Sequence, residues 1–95
     1  MNQTITGIIK TISDKEKFES GLEKRFVTVK TVGEYPDIYD IDFLNDNMEK
    51  LKGFKPGQLV SVKCRMQGRE VTSKEDNSKT YRIVSFNGYQ ISNYE

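Results

Sequence analysis

Residues 45–53 read Asn45-Asp46-Asn47-Met48-Glu49-Lys50-Leu51-Lys52-Gly53, a short run with helical character. Its first three residues favour helix N-caps, Met48 and Leu51 have helical spacing with Leu44, and Gly53 favours a C-terminal stop. These signals predict one helix of about two turns. Because the segments on both sides have the pattern of β-strands, this helix decides which all-β fold the sequence can adopt.

Three strands are predicted on the N-terminal side of the helix. The first covers residues 4–13, is rich in β-branched residues and is interrupted by Gly7, where we expect a bulge or a bend. Residues 25–32 alternate between apolar and polar side chains and form the second strand, and residues 35–44 form the third. Residues 14–24 are dominated by charge and predict a long exposed loop.

Two further strands are predicted on the C-terminal side. After the turn Lys55-Pro56-Gly57, residues 60–66 alternate clearly and form the fourth strand. Residues 71–79 are polar and turn-rich, and residues 80–91 form the fifth strand. The order β-β-β-α-β-β predicts one all-β domain over residues 1–95, a five-stranded OB-fold (oligonucleotide/oligosaccharide-binding) barrel with one short helix between strands 3 and 4. A five-stranded SH3-like barrel is the alternative, although it has little use for a helix at that position.

The composition argues against an enzyme. The 95 residues include no histidine and one cysteine, so the usual Ser/His and Cys/His nucleophile arrangements and nearly all zinc sites cannot form. We therefore expect no catalytic residues, no metal and no cofactor. Asp37, Asp40, Asp42 and Asp46 could share Mg²⁺ as in metal-dependent nucleases, but no general base or positioned lysine accompanies them, and a solubilising strand face is the favoured interpretation.

Charge and cysteine content indicate the environment of the protein. Fifteen basic and 14 acidic side chains give a net charge of +1, so any basic surface must come from local arrangement. No apolar run is long enough to span a membrane, and the N-terminus lacks the features of a signal peptide. Cys64 has no partner for an intramolecular disulfide and should pack as a small hydrophobe. We expect a soluble, cytoplasmic protein.

Basic and aromatic residues are interleaved in the two longest predicted loops. On OB barrels these loops, which join strands 1 to 2 and 4 to 5, flank a binding face on strands 2 and 3. Binding of a single nucleic-acid strand needs this mixture, because cations contact phosphates while rings stack on bases. The candidate nucleic-acid-binding residues are Lys15, Lys17, Phe18, Lys24 and Arg25 of the first loop, Phe26, Thr28 and Lys30 of strand 2, and Arg69, Lys74, Lys79, Tyr81 and Arg82 around the second loop.

Two aromatic residues keep two interpretations each. Phe26 points outward if Val27 and Val29 point into the core, whereas a register reversed by one residue, or a first loop folded over the strand, would bury it. Phe18 is either a ring that stacks on a base or an anchor that holds its loop against the barrel. The sequence favours neither interpretation of Phe18.

Two carboxylates oppose the nucleic-acid assignment. Asp40 and Asp42 project from the outer face of strand 3, where they would repel a phosphate backbone. They can lie beside the nucleotide path, contact base edges or pair with Lys30, and the sequence leaves these alternatives open.

Several short runs resemble a known group of proteins. They are Phe26-Val27, Gly33-Glu34-Tyr35-Pro36, Phe54-Lys55-Pro56-Gly57-Gln58-Leu59-Val60-Ser61-Val62 and Gly68-Arg69-Glu70. Over nearly its whole length the chain resembles small single-domain OB-fold proteins of bacteria and phages, a domain-of-unknown-function group related to single-stranded DNA-binding proteins. The resemblance implies an OB fold and single-stranded DNA binding in replication or recombination. Such proteins often carry a tryptophan near the end of strand 3, where this chain has Leu44.

These observations predict a non-catalytic single-stranded DNA-binding protein. RNA binding and a protein–protein interaction module are the alternatives, and the near-neutral charge favours the latter. We expect single-stranded DNA as the partner, no membrane contact, and a homo-oligomer, with a dimer favoured, because one OB domain covers only about 4–16 nucleotides and pairing raises affinity. Replication or recombination proteins are further expected partners.

Overall fold

Five strands close into a barrel. The computed structural model describes residues 2–72 and 78–94. The ring runs in the order β1 (Asn2–Ile12), β3 (Glu23–Thr31), β4 (Ile38–Leu44), β6 (Thr80–Asn93) and β5 (Leu59–Thr72), and β5 closes it by pairing with β1. A two-residue strand, β2 (Glu16–Lys17), pairs with β3 outside the ring, and a 3₁₀ helix (Asn45–Leu51) joins β4 to β5.

The strand order is that of an OB-fold barrel. Neighbouring ring strands are antiparallel except β4 and β6, which run parallel through Ile41 and Asp42 on β4. In chain order the short helix lies between the third and fourth ring strands, β4 and β5, as the sequence predicted. The predicted five-stranded OB fold is therefore confirmed.

Alternating side chains on the ring strands build the core. Val27 and Val29 have no exposed surface, so the neighbouring Phe26, Thr28 and Lys30 face outward as predicted. Cys64 is also buried, and burial raises the pKa of its thiol. The buried core residues are Ile5, Ile9, Val27, Val29, Ile41, Phe43, Leu51, Val60, Val62, Cys64 and Ile91.

β1 belongs to both sides of the barrel. Gly7 pairs with Thr31 of β3 and with Val60 of β5. A Cβ at Gly7 would lie 2.3 Å from the carbonyl oxygen of Lys30, so this close approach requires glycine. The break in register falls between Ile9 and Thr11. The long two-sided strand was predicted correctly, but its bulge is not at Gly7.

The helix closes one end of the barrel by packing. Leu51 is buried in the core, and Gly53 ends the segment with a φ of 87°. The predicted N-caps are wrong, because Leu44 occupies the cap position and no side chain caps the helix. Asn45 Oδ1 instead accepts a hydrogen bond from the backbone N–H of Glu23 at 3.1 Å. Across residues 2–72 and 78–94, no helix has the length and apolar character needed to cross a membrane.

Both long predicted loops contain strand structure. In the first-loop hairpin (residues 16–24), Glu16 pairs with Lys24 and Lys17 with Glu23. β5 and β6 stay paired as far as Thr72 and Thr80, where the sequence predicted a turn from residue 71. Residues 67–72 and 80–85 thus form a two-stranded arm. The loop predictions were wrong here because backbone pairing does not require the apolar alternation that core packing imposes.

Candidate nucleic-acid interface

A groove crosses the outer face of the sheet between the first-loop hairpin and the arm. Its volume is about 590 Å³. This is the face, between the same two connections, on which OB folds bind their ligands. The groove is lined by Phe18, Ser20, Leu22, Lys24, Asp42, Leu44, Gln67, Arg69, Ile83, Ser85 and Asn87.

Strand alternation determines which side chains form the floor of the groove. Asp42 on β4 stands in register with Phe26 on β3 and with Asn87 on β6. The residues on either side of Asp42, Ile41 and Phe43, are fully buried. Asp42 therefore points outward into the groove, with Phe26 beside it on the adjoining part of the sheet face.

The first-loop hairpin supplies an aromatic ring and a cation. Phe18 is 40% exposed, and the Lys24 ammonium lies 5.7 Å from the centroid of its ring, within cation–π range. The backbone N–H of Phe18 donates to the carbonyl of Leu22 at 2.8 Å, which fixes the turn that carries the ring. A structured turn thus presents a partly exposed aromatic ring at the edge of the groove.

The arm forms the opposite wall. Arg69 of β5 and Ile83 of β6 are paired in register on the groove side. Closer to the barrel, the side-chain amide of Asn87 donates to that of Gln67. Ile83 is 40% exposed, so this wall combines a cation with apolar surface.

The two acidic residues of β4 have different environments. Lys24 Nζ lies 3.8 Å from Asp42 Oδ1, whereas Asp40 Oδ1 accepts a hydrogen bond from Thr28 Oγ1 at 2.6 Å. Burial raises the pKa of Asp42; the charges of Asp40 and Glu16 add to this shift, and Lys24 opposes it. These contacts replace the pairing with Lys30 that was one of the alternatives.

Two predicted site residues lie at the end of the barrel and not in the groove. Lys15 pairs with Glu23 at 2.9 Å, and Arg25 Nε donates to the carbonyl of Ser13 at 3.0 Å. Both line an end cavity of about 600 Å³ beside the 3₁₀ helix, together with Met48, Asp14, Glu23, Asn45, Asp46, Glu49 and Lys52. Side chains alternate along β3, so Arg25 lies on the same face as the inward-pointing Val27 and reaches this cavity. Lys24 lies on the outer face.

The other predicted residues are spread around the groove. Phe18, Lys24 and Arg69 line it. Arg82 lies on the opposite face of the arm, where it pairs with Glu70 at 3.5 Å. Phe26, Thr28 and Lys30 continue the sheet face beside the groove, Tyr81 lies farther along the arm, Lys17 is exposed on β2, Lys79 precedes β6, and Lys74 lies outside the described residues.

Several groove residues were not predicted from the sequence. They are Ser20, Leu22, Leu44, Gln67, Ile83, Ser85 and Asn87. Three of them have a detectable signal, since Ile83, Ser85 and Asn87 share the alternation parity of Tyr81, which was predicted to bind. The others depend on contacts between distant strands.

The four aspartates considered as magnesium ligands do not come together. Among residues 2–72 and 78–94, no group of three or more His, Cys, Asp or Glu side chains is arranged to hold a metal ion. Asp42 has Lys24 as its neighbour.

The strand order and the groove define a small OB-fold domain with an open groove on its outer sheet face. The chain belongs to the DUF3127 family, described as a domain of unknown function, whose model matches residues 4–92. This confirms the resemblance to an OB-fold domain of unknown function. Among curated proteins, none matches the sequence.

Solved structures of a yeast protein have a similar fold. They are two crystal forms of the mitochondrial single-stranded DNA-binding protein Rim1 of S. cerevisiae. Form 2 has a TM-score of 0.72 at 14% identity, covering 98% of this chain and 93% of that one. Form 1 has a TM-score of 0.73 at 13% identity, covering 98% and 94%. At such identity the similarity shows a shared OB fold.

Proposed function

We propose that this protein binds single-stranded DNA in the groove and carries out no chemistry of its own. The observation that carries the proposal is the partly exposed ring of Phe18 beside Lys24 on one wall, facing Arg69 and Ile83 on the other. Unstacked bases stack on rings and pack against apolar side chains, while cations contact phosphates. The similarity to structures of a single-stranded DNA-binding protein supports the proposal.

The charges of the groove set the expected salt dependence. Among residues 2–72 and 78–94, Lys24 and Arg69 are the cations that line it, and Asp42 offsets part of their charge. Neutralising about two phosphates on a single strand gives a slope of log K against log salt concentration of about −1.4. Most of the affinity then comes from stacking, which contributes about 1–3 kcal/mol per base.

Two arginines of the arm provide a matched test. Arg69 lines the groove, whereas Arg82 lies on the opposite face of the same hairpin. We expect Arg69→Ala to weaken binding of fluorescein-labelled (dT)15 about fivefold and to make the salt slope shallower by about 0.7, because one phosphate contact is lost. Arg82→Ala should leave both quantities unchanged.

Fluorescence anisotropy from about 50 to 300 mM NaCl measures affinity and slope together. Absence of binding at the lowest salt would contradict the proposal. Equal effects of the two arginine substitutions would show that DNA does not bind in the groove. Repeating the titration with (rU)15 compares RNA with DNA in the same site.

A further inference from the structure

A carboxylate lines the floor of the proposed binding groove. Asp42 projects from β4 between Phe26 and Asn87, and its side chain is 23% exposed. Phosphates are repelled by this group, whereas base edges that carry N–H donors are attracted to it. A strand bound here therefore turns its bases toward the floor of the groove and its phosphates toward Lys24 and Arg69.

We propose that Asp42 recognises base edges and gives the groove a preference for bases with an exocyclic amino group, namely cytosine, adenine and guanine, over thymine. This inference rests on the proposed function, because it concerns the same groove.

Asp42 keeps the capacity to accept a hydrogen bond from a base. Its contact with Lys24 is 3.8 Å long, whereas charge-assisted hydrogen bonds between nitrogen and oxygen are about 2.7–2.9 Å. A carboxylate offers about four lone-pair positions. Asp40, two residues away on the same outer face, is held by Thr28 at 2.6 Å and does not line the groove.

Cytosine and thymine differ where this carboxylate would meet them. Cytosine presents an amino donor at position 4, whereas thymine presents a carbonyl oxygen there. The N3–H donor of thymine lies between two carbonyl oxygens, which a carboxylate repels. Asp42 therefore gains a hydrogen bond with cytosine and meets an acceptor with thymine.

Lys24 is assigned to phosphates, and the amide and aromatic neighbours of Asp42 do not make this distinction. The amides of Asn87 and Gln67 each carry donors and an acceptor, so they can form hydrogen bonds with either cytosine or thymine. The ring of Phe18 stacks on either base as well. The discrimination consequently falls on Asp42.

Competition anisotropy with (dC)15 and (dT)15 at a pH of about 7.5 tests the inference, because the two strands have equal length and charge. We expect the wild type to bind (dC)15 about tenfold more tightly than (dT)15. Asp42→Asn should bring the two affinities within about twofold, because an amide offers both donor and acceptor. Asp40→Asn, the matched control, should keep the tenfold ratio. Thermal melts followed by circular dichroism verify that both variants are folded.

The outcomes separate this inference from the proposed function. Equal binding of the two strands by the wild type, or a preference for (dT)15, overturns the inference and leaves the proposed function in place. A cytosine preference that survives Asp42→Asn also overturns it. If neither strand binds, the proposed function and this inference fail together.

Discussion

Two cavities of nearly equal volume, about 590 and 600 Å³, lie on different parts of this barrel and differ in how their charges are satisfied. In the end cavity, Lys15 is paired with Glu23 and Arg25 with the carbonyl of Ser13. In the groove, Lys24 lies beside the exposed ring of Phe18, and Arg69 stands opposite. Volume therefore does not distinguish the two cavities, whereas a cation beside an exposed ring does.

Adjacent residues supply these two cavities with cations. Lys24 and Arg25 are neighbours on β3, and alternation sends Lys24 to the groove and Arg25 to the end cavity. A count of basic residues in the first loop treats them as equivalent. Strand parity therefore sets the surroundings of each cation: Arg25 donates to the carbonyl of Ser13, whereas Lys24 lies beside the Phe18 ring and Asp42.

The largest effect should come from the core that supports both cavities. Val62 is fully buried, and Val62→Asp places an unpaired charge there, so we expect a loss of more than about 4 kcal/mol in the free energy of unfolding and no folded protein. Lys63→Asp, at the adjacent exposed position, should cost less than about 1 kcal/mol. Urea unfolding followed by circular dichroism measures both. A cooperative transition in Val62→Asp near that of the wild type would contradict the assigned strand faces.

A second prediction separates the two cavities within one loop. Phe18→Ala should weaken (dT)15 binding by about 1–3 kcal/mol, because it removes a stacking ring from the groove. Lys15→Ala should leave binding unchanged, because Lys15 faces the end cavity and is paired with Glu23. Anisotropy titrations of the two variants under the same conditions provide the measurement. If Lys15→Ala weakened binding more than Phe18→Ala, the end cavity and not the groove would be the DNA-binding site.

The smallest predicted effect is a contrast in pH dependence. The pKa of Asp42 in the groove is raised above 3.8, chiefly by burial, so its ionisation costs stability as pH rises through that raised pKa. The pKa of Glu23 in the end cavity is lowered below 4.5, chiefly by its hydrogen bond with Lys15, so Glu23 adds stability at neutral pH and loses it as pH falls through the lowered pKa.

Thermal melts of two amide variants at several pH values measure this contrast. On acidification, the wild type should gain stability relative to Asp42→Asn. Relative to Glu23→Gln, it should lose its advantage over the same range. If the stability of the wild type changed in the same direction relative to both variants on acidification, the opposite pKa shifts assigned to Asp42 and Glu23 would be wrong.

Much of the fold could be predicted from local patterns. The alternation around Val27 and Val29 assigns the inner face of β3, and both side chains are fully buried. The helical run at 45–53 distinguishes the OB barrel from other small barrels. The extension of β5 and β6 into the arm could not be predicted, because residues such as Arg69 and Glu70 pair through their backbones without burying side chains.

The groove was only partly predictable. Phe18, Lys24 and Arg69 were identified because basic and aromatic residues cluster in loops that flank the binding face of OB folds. Leu44 was missed, because the parallel pairing of β4 with β6 that brings it to one groove with Asn87 joins distant parts of the sequence. The ion pair that neutralises Lys15 likewise depends on the β2–β3 hairpin, which sequence composition does not reveal.

Mapping amide chemical-shift changes during titration with (dT)15 tests the central claim most directly, because it reports on both cavities at once. We expect the largest changes along the groove, at Phe18, Lys24, Arg69 and Ile83, with small changes at Lys15, Arg25 and Met48. Changes concentrated at those last three residues, or none at saturating oligonucleotide, would contradict this claim.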